Sequence, residues 1–276
     1  MSNQLLVFED MNSFSAAMSF LYDNQDNGND SFNDRFPDFD SYNSALESFR
    51  DEDYVQYEKY PNLLEKVDEG DGTFSIEPTV KFNLIRQLLN RDAMIQIGQK
   101  VYKFTSSNVY EIDSNGPFES LIAGRYSDLL SLVAYPVICD ETYLGVNDRS
   151  FQAVCTNKFF WSNRRRVVGK VREIHAWAFH ELIMQTYCQK RFAGIWYKIR
   201  HRELVINGSG VFNTIEDGIP FPLSYSVNKH EYNVKSITHT VASMHPLPGS
   251  NWRLEFVSNH SYHDCYGDAG CHIDFD

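Results

Sequence analysis

The sequence contains no run of about 18 or more apolar residues, so it has no segment of the length that a membrane-spanning helix needs. It also shows no signal peptide, because "MSNQLLVFED" has neither a basic start nor an apolar core. Two interpretations stay open: a cytoplasmic chain, or a mature portion whose leader lies before Met1. The sequence has no C-x-x-C pair, no G-x-S-x-G motif, no phosphate-binding glycine loop and no dinucleotide fingerprint, so the common signatures of catalysis are missing.

Positive charge is scarce. The formal net charge is −12 at pH 7, which argues against nucleic acid as a partner because phosphate affinity comes from clustered Lys and Arg. The imbalance is uneven: residues 1–75 hold 17 Asp and Glu against 4 Lys and Arg, whereas residues 76–276 hold 20 against 21. This asymmetry predicts two regions with different surfaces.

Apolar and aromatic side chains are abundant. Hydrophobic residues make up 42% of the 276, with 20 Phe and 16 Tyr, so the chain can bury a sizeable core in one large domain or two modest ones. An aromatic content of 14% favours strands over helices as the main source of that core.

Hydrophobic periodicity predicts helices in the first part of the chain. Apolar residues recur at helical spacing in 13–22, 41–60 and 79–92. Asp10 or Asn12 precedes the first of these segments and has a side chain suited to an N-cap. The connectors between the segments are acidic and rich in turn residues.

The period then changes to that of strands. Residues 94–113 alternate and predict a β-hairpin or meander, and nearly every segment after 137 predicts a strand, with a turn at "NGSG", 207–210. The predicted fold class is α+β, with a helical amino-terminal region, a short β-hairpin segment and a carboxy-terminal antiparallel β-sandwich-like domain. The predicted boundaries are 1–136 for the acidic helical region with its helix-hairpin segment and 137–276 for the β-domain.

Possible metal sites are weak. His180 and His230 each begin a His-Glu pair, but Met184 and Val234 stand where a zinc protease needs its second His. Residues 23–34 resemble a calcium loop, but the third position is a glutamine and the last acid is a short aspartate, so a solvated loop is favoured. We predict no metal and no cofactor.

Five cysteines leave the redox state open. Cys265 and Cys271 flank "YGDAG", a glycine-containing loop that could close a small disulfide ring in an oxidising compartment. Free buried thiols are an equal alternative on spacing alone. With His260, His263 and His272 the two cysteines also form a zinc-type ligand set, but the spacing matches no finger or ribbon.

Basic and aromatic residues concentrate in "KFFWSNRRRVVGK" and "RFAGIWYKIRHRELVING". Such groups stack on sugar rings or bind anionic polymers. The candidate binding residues are Trp161, Arg164, Trp196, Lys198, Arg200 and Arg202. The competing interpretation is the solvated side of a sheet, or a surface that docks the acidic segment.

Strand alternation predicts where the residues of the second stretch point. Ile195, Tyr197 and Ile199 should face the core, and Lys198, Arg200 and Arg202 should face outward, because unpaired cations are costly inside. Trp196 shares the basic face, and we expect a neighbouring element to cover it because large exposed aromatics are uncommon. Binding of an anionic glycan to this basic face requires instead that the side chain of Trp196 be exposed beside at least two of the cations.

Three blocks of the sequence resemble uncharacterised secreted proteins and lipoproteins of Bacteroidota. They are "LLVFEDMNSFSAAMSFL", "LLNRDAMIQIGQKVYKFTSSNVYEI" and "NRRRVVGKVREIHAWAFHELIMQTYCQKRFAGIWYKIRHRELVING", spread over most of residues 4–208. The sequence departs from the pattern at Gln99, where an acidic residue is common, and its last 60 or so residues match less clearly. No activity is established for this family that could be transferred.

The resemblance implies export, so we expect a secreted or outer-membrane-tethered protein whose leader, or lipidated Cys, lies before residue 1. Export also makes the Cys265–Cys271 disulfide the favoured reading, and a cytoplasmic protein with reduced cysteines is the alternative. We expect a non-enzymatic binding or structural protein with an anionic glycan or a surface protein as its partner. The enzyme alternative is a secreted hydrolase acting on polysaccharide or peptide.

Overall fold

The computed structural model describes residues 5–25, 36, 38–129, 131–137, 152–159, 162–176, 179–216, 219–244, 254–264 and 267–275. About half of the chain is in strands, which form three sheets, and the helices are few and short. The predicted fold class is α+β, and the part of it that the structure supports is its richness in strands. The helical amino-terminal region and the sandwich arrangement stay predictions. No helix within these residue ranges is long and apolar enough to cross a membrane.

The described residues include four short helices: α1, Met11–Asp23; α2, Tyr42–Ser48; α3, Asp51–Val55; and α4, Phe118–Ile122. Asp10 caps α1, since its carboxylate accepts a hydrogen bond from the Ser13 backbone N–H at 2.8 Å. Ser13 Oγ in turn accepts from the Asp10 N–H at 3.1 Å. This reciprocal capping box satisfies two N–H groups that have no partner inside the helix, and it explains why the helix begins after Asp10.

The first sheet contains β1, Val7–Phe8; β4, Met94–Ile97; β5, Lys100–Phe104; β6, Asn108–Asp113; and β7, Val133–Pro136. Its strand order is β1-β4-β5-β6-β7. Strands β4 to β6 are the meander predicted at 94–113. Gly98 makes the β4–β5 turn with φ 59°, a left-handed value that favours glycine. Its N–H donates to the Phe8 carbonyl at 2.8 Å and ties β1 to the sheet.

The second sheet contains β2, Leu64–Asp68; β3, Phe74–Pro78; β8, Gln152–Phe159; β9, Ser162–Ala176; β10, Phe179–Phe192; β11, Ile195–Lys198; and β14, Ser236–Met244. Its order is β2-β3-β11-β10-β9-β8, and β14 also pairs with β10. β11 is an interior strand, parallel to β3 and antiparallel to β10. Strands from both predicted regions, 1–136 and 137–276, therefore pair within one sheet.

The third sheet is antiparallel and contains β12, His201–Glu216; β13, Ile219–Val234; β15, Leu254–Asp264; and β16, Gly267–Phe275. Its order is β13-β12-β15-β16. The turn predicted at 207–210 is wrong, because these residues lie inside β12 and Gly208 pairs with both Val227 and Ser258. Partners on both sides hold the glycines of this strand extended.

One large core joins the amino-terminal helices to the strands. The apolar stripe of α1, Phe14, Met18 and Leu21, is buried in the same cluster as Phe104 and Phe179. Phe179 lies with its ring centroid 5.6 Å from that of Phe14 and 5.0 Å from that of Phe104. Full burial of each such side chain contributes roughly 1.5–3 kcal/mol. The amino-terminal helix α1 therefore packs onto the β-region.

The helix predicted at 79–92 is wrong. Only Ile85–Gln87 forms a single 3₁₀ turn, although the predicted apolar stripe is buried. That stripe is Phe82, Ile85, Leu88 and Leu89. The Glu181 carboxylate on β10 accepts hydrogen bonds from the backbone N–H groups of Asn83 at 2.5 Å and Leu84 at 3.0 Å. A distant strand therefore holds this segment in an irregular loop.

Candidate functional site

The five candidate binding residues that the structure describes are divided between solvent and interior. Arg164, Arg200 and Arg202 are exposed, whereas Trp196 and Lys198 are buried. Trp161 lies outside the described residues. The outward direction predicted for Arg200 and Arg202 is confirmed, and the two buried residues need separate accounts.

Trp196 is covered, as predicted, with 1% of its surface exposed. Its indole Nε1–H donates to Thr73 Oγ1 at 3.1 Å. The guanidinium groups of Arg166 and Arg191 lie 4.4 Å and 5.3 Å from its ring centroid. These contacts occupy the ring, so Trp196 does not meet the condition for a sugar platform that the sequence interpretation required.

The prediction that Lys198 faces outward is wrong, because only 6% of its surface is exposed. The reason is topological: β11 has β3 on one side and β10 on the other, and its two faces are both covered. Trp196 and Tyr197, on opposite faces, are buried as well. Alternation separates the faces of a strand, but it exposes one of them only when a single face packs on the core.

Glu77 of β3 is the centre of a buried ion-pair network in the same sheet. Its carboxylate contacts Lys170 Nζ, Lys81 Nζ at 3.4 Å and Arg172 Nη1 at 3.9 Å. Burial by itself would raise the pKa of Glu77, but these three cations outweigh it and hold the pKa well below its ordinary value. The cations around Glu77 therefore share a carboxylate partner, as buried charges require.

A cavity of about 830 Å³ opens beside this network, and we call it the large cavity. It is lined by Gln25, Asn43, Leu46, Glu47, Tyr54, Pro78, Asn83, Arg86, Gln87, Lys198, Asn228, Lys229, His230, Glu231, Val234, Lys235, Ser236 and Thr238. These residues come from the end of α1, from α2 and α3, from the 83–87 loop, and from the ends of strands β3, β11, β13 and β14. Segments distant in sequence thus converge on it.

Two buried cations of the large cavity have no carboxylate within 4 Å among the residues that the structure describes. Lys198 Nζ lies 4.4 Å from the ring centroid of Tyr187 and makes no hydrogen bond within the described part of the chain. Arg86 donates from Nε and Nη2 to backbone carbonyls only, those of Val80 and Lys81. Burial lowers the pKa of Lys198 to about 7, and Glu77 offsets this effect only in part. Burial likewise lowers the pKa of Arg86 to about 10.

The rest of the lining is polar and mostly neutral. It contributes three asparagines, two glutamines, one serine and one threonine. Of its two carboxylates, Glu231 pairs with Lys229 at 3.1 Å and Glu47 is exposed. Carboxamides donate and accept hydrogen bonds, so this lining suits a ligand that carries hydroxyl groups as well as negative charge.

Hydrogen bonds fix the walls of the large cavity. Gln25 Nε2 donates to the Thr240 carbonyl and Gln25 Oε1 accepts from the Thr240 N–H, both at 2.8 Å. Asn83 Nδ2 donates to Thr240 Oγ1 at 3.0 Å, and the Asn83 N–H is held by Glu181. α1, the 83–87 loop and β14 are therefore joined at one point, which orients the loop that carries Arg86.

A second cavity of about 460 Å³, the small cavity, adjoins the first and shares Glu47 and Lys235 with it. Its other lining residues are Ser48, Phe49, Arg50, Arg165, Lys190, Ile199 and Arg200. Arg200, a residue selected from the sequence, is thus part of a concave basic surface. Its Nη1 donates to the Asn233 carbonyl at 2.7 Å, which holds the side chain in place.

Some sequence predictions fall on parts of the chain that the structure does not describe. Cys265 and most of the calcium-like segment 23–34 lie outside the described residues, so the Cys265–Cys271 disulfide and the calcium alternative stay predictions. Cys271 lies on β16 opposite His260, and Cys188 is buried. Within the described ranges no group of three or more His, Cys, Asp or Glu residues could hold a metal ion.

Comparison with known proteins adds little to the site. No protein-family model matches the chain, and no curated protein matches it. Among solved structures it is similar to the crystal structure of a DUF4848 family protein from Bacteroides thetaiotaomicron, with 12% identity over 98% of this chain and 97% of that one and a TM-score of 0.29. That protein comes from the phylum indicated by the sequence resemblance, and at this TM-score no conclusion about fold or function is taken from it.

Proposed function

We propose that this is an exported binding protein whose large cavity takes an acidic sugar. The observation that carries the proposal is the pair of buried cations, Lys198 and Arg86, that line the cavity without a carboxylate partner among the described residues. An isolated buried charge costs several kcal/mol unless an opposite charge compensates it. A ligand anion in the cavity supplies that compensation.

The charge of the lining supports an anion over a cation. The protein carries a net charge of −12, yet Arg86, Lys198 and Lys235 are buried along the same cavity. Cations that cluster in a protein of negative net charge create a local positive potential, and the low-dielectric walls of a cleft strengthen it. Carboxylate or sulfate groups fit this field.

The neutral lining supports a sugar over a simple ion. Gln25, Asn83 and Thr238 are hydrogen-bonded within the protein. The other amide and hydroxyl side chains of the cavity, those of Asn43, Gln87, Asn228 and Ser236, offer donors and acceptors together, which is the pattern that sugar hydroxyls need. Glu231 pairs with Lys229 and Glu47 is exposed, so both lining carboxylates are poor candidates for the acid–base pair of a glycosidase. These features favour binding over the hydrolase alternative.

Export and a cell-surface glycan partner are part of the same proposal, and the resemblance to secreted Bacteroidota proteins supports them. The expected location is the outer face of the cell, where acidic polysaccharides are accessible. Fractionation of the native host, with antibody detection in the periplasm, outer membrane and medium, tests this part. Recovery of the protein in the cytoplasm alone would contradict it.

The binding experiment compares acidic and neutral monosaccharides by calorimetry, with galacturonate and glucuronate against galactose and glucose. We expect heat only with the acids, and loss of that heat in Lys198→Met. Lys59→Met is the matched control, because Lys59 is exposed and lies outside both cavities. Equal affinity for acidic and neutral sugars, or unchanged affinity in a folded Lys198→Met, would refute the proposal. Release of shorter products from an oligosaccharide would instead support the hydrolase.

A further inference from the structure

We propose that the ligand is a linear acidic oligosaccharide whose chain continues from the large cavity into the small cavity. This inference rests on the proposed function and extends it, because a single sugar acid would need the large cavity alone. The two cavities share the lining residues Glu47 and Lys235, so they are adjacent.

The small cavity is strongly basic. Arg50, Arg165, Lys190 and Arg200 line it together with the shared Lys235, and the shared Glu47 is the acidic residue of its lining. The four cations come from the start of α3, from β9, from β10 and from the segment after β11. The fold therefore brings them together from distant points of the chain.

The register of β9 and β10 places two of these cations directly opposite each other. Lys190 pairs with Arg165 across the two antiparallel strands. Like charges in directly opposed positions destabilise a sheet. The next pair along, Gln189 with Arg166, carries no such conflict, because Gln189 Oε1 accepts from Arg166 Nε at 2.7 Å. Both side chains line the small cavity, so an anion bound there lies close to two cations.

Lys235 marks the junction of the two cavities and is held rigidly. Its Nζ donates to the Phe49 carbonyl and lies 4.9 Å from the ring centroid of Tyr54. A fixed cation between the two cavities allows successive acidic sugar units of one oligosaccharide to lie on either side of it. The repeated charge of a polyuronate or sulfated glycan matches this sequence of cations, from Lys198 past Lys235 to Arg200.

The experiment measures affinity against chain length with galacturonate, its trimer and its hexamer. We expect the hexamer to bind wild type about tenfold more tightly than the monomer at low salt, as several exposed charge contacts together provide. Lys190→Gln with Arg200→Gln should keep the monomer affinity and lose the gain with length. Lys59→Gln with Arg125→Gln removes the same charge at exposed positions outside both cavities and should keep the gain.

The possible outcomes separate this inference from the proposed function. If the monomer binds but length has no effect, or if the double variant keeps the gain, the continuous chain site is wrong and the large-cavity proposal stands. If neither monomer nor hexamer binds, the proposed function fails together with it. If oligoglutamate of equal length gains as much as the oligosaccharide, the small cavity selects charge alone and the sugar assignment is wrong.

Discussion

Lys170 and Lys198 lie on strands of the same sheet and are both buried, but among the residues that the structure describes only Lys170 has a carboxylate partner. Lys170 contacts Glu77 together with Lys81 and Arg172, whereas Lys198 faces the large cavity with the ring of Tyr187 as its neighbour. The first arrangement is self-contained and resembles a structural network. The second leaves a positive charge for something outside the chain to neutralise. The contrast teaches that a buried charge indicates a binding site only where the described residues supply no counter-ion.

The largest expected effect comes from removing the carboxylate at the centre of the Glu77 network. Glu77→Gln should destabilise the protein by roughly 3–5 kcal/mol, because it leaves buried cations without compensation. Chemical denaturation followed by circular dichroism measures the change. Glu119→Gln, at an exposed position on α4, is the control and should stay within about 0.5 kcal/mol. A loss below about 1 kcal/mol in Glu77→Gln would show that the network does not depend on this carboxylate.

The opposite result is expected for the unpaired cation. Lys198→Met should raise the stability of the ligand-free protein by roughly 1–4 kcal/mol, the range found when buried charges are replaced by apolar residues, while acidic-sugar binding is lost. Lys170→Met should instead destabilise, because Glu77 loses a partner. Thermal melting of both variants compares them directly. Equal losses in the two would mean that Lys198 is as structurally engaged as Lys170.

The lowered pKa of Lys198 predicts how pH acts on each region. Because burial lowers this pKa from 10.5 to about 7, Lys198 loses its proton above neutral pH, while Arg86, with a pKa of about 10, keeps its proton. Affinity for a uronate should therefore fall roughly tenfold from about pH 6 to about pH 8.5. In the ligand-free protein the sign reverses: the unfolded chain binds more protons between about pH 7 and 10.5, so stability from this group rises with pH.

Calorimetry across this pH range checks the affinity, and Lys198→Met provides the reference because it lacks the titrating amine. A flat profile in wild type, or an equal slope in the variant, would assign the pH dependence to another group. The Glu77 network should behave differently. Its depressed carboxyl pKa contributes stability above the ordinary value of 4.5, which is lost as pH falls below it.

The smallest effect is expected in the small cavity, whose cations, apart from the buried Lys235, are partly or fully exposed. Lys190→Gln removes the like-charge pair with Arg165 and should stabilise the free protein by roughly 0.2–1 kcal/mol. Arg202→Gln, at an exposed position outside the small cavity, should change little. Added salt should shrink the difference, because exposed charges are screened. A destabilised Lys190→Gln would mean that this side chain makes a structural contact instead.

Local patterns predicted several elements correctly because their causes are local. The Asp10 cap and the apolar spacing of Phe14, Met18 and Leu21 predict α1, and the turn at Gly98 predicts the meander. Segment 79–92 has an equally good helical pattern, yet it forms a loop because Glu181, 97 positions from Leu84, holds its backbone. The residues of the segment do not by themselves predict that contact. The same loop places Arg86 at the large cavity.

The features of the candidate site likewise divide into those with local causes and those that depend on tertiary packing. The sequence by itself determined the richness of the chain in strands, the burial of the apolar stripes and the presence of a basic-aromatic stretch that includes Arg200, because periodicity and composition are carried by neighbouring residues. The tertiary structure alone decided that β11 is an interior strand, that Trp196 is occupied by Thr73 and Arg166, and that Lys198 lines a cavity with Arg86. The physical reason is that alternation separates the two faces of a strand, whereas strand order and the packing of remote segments determine which of those faces meets water.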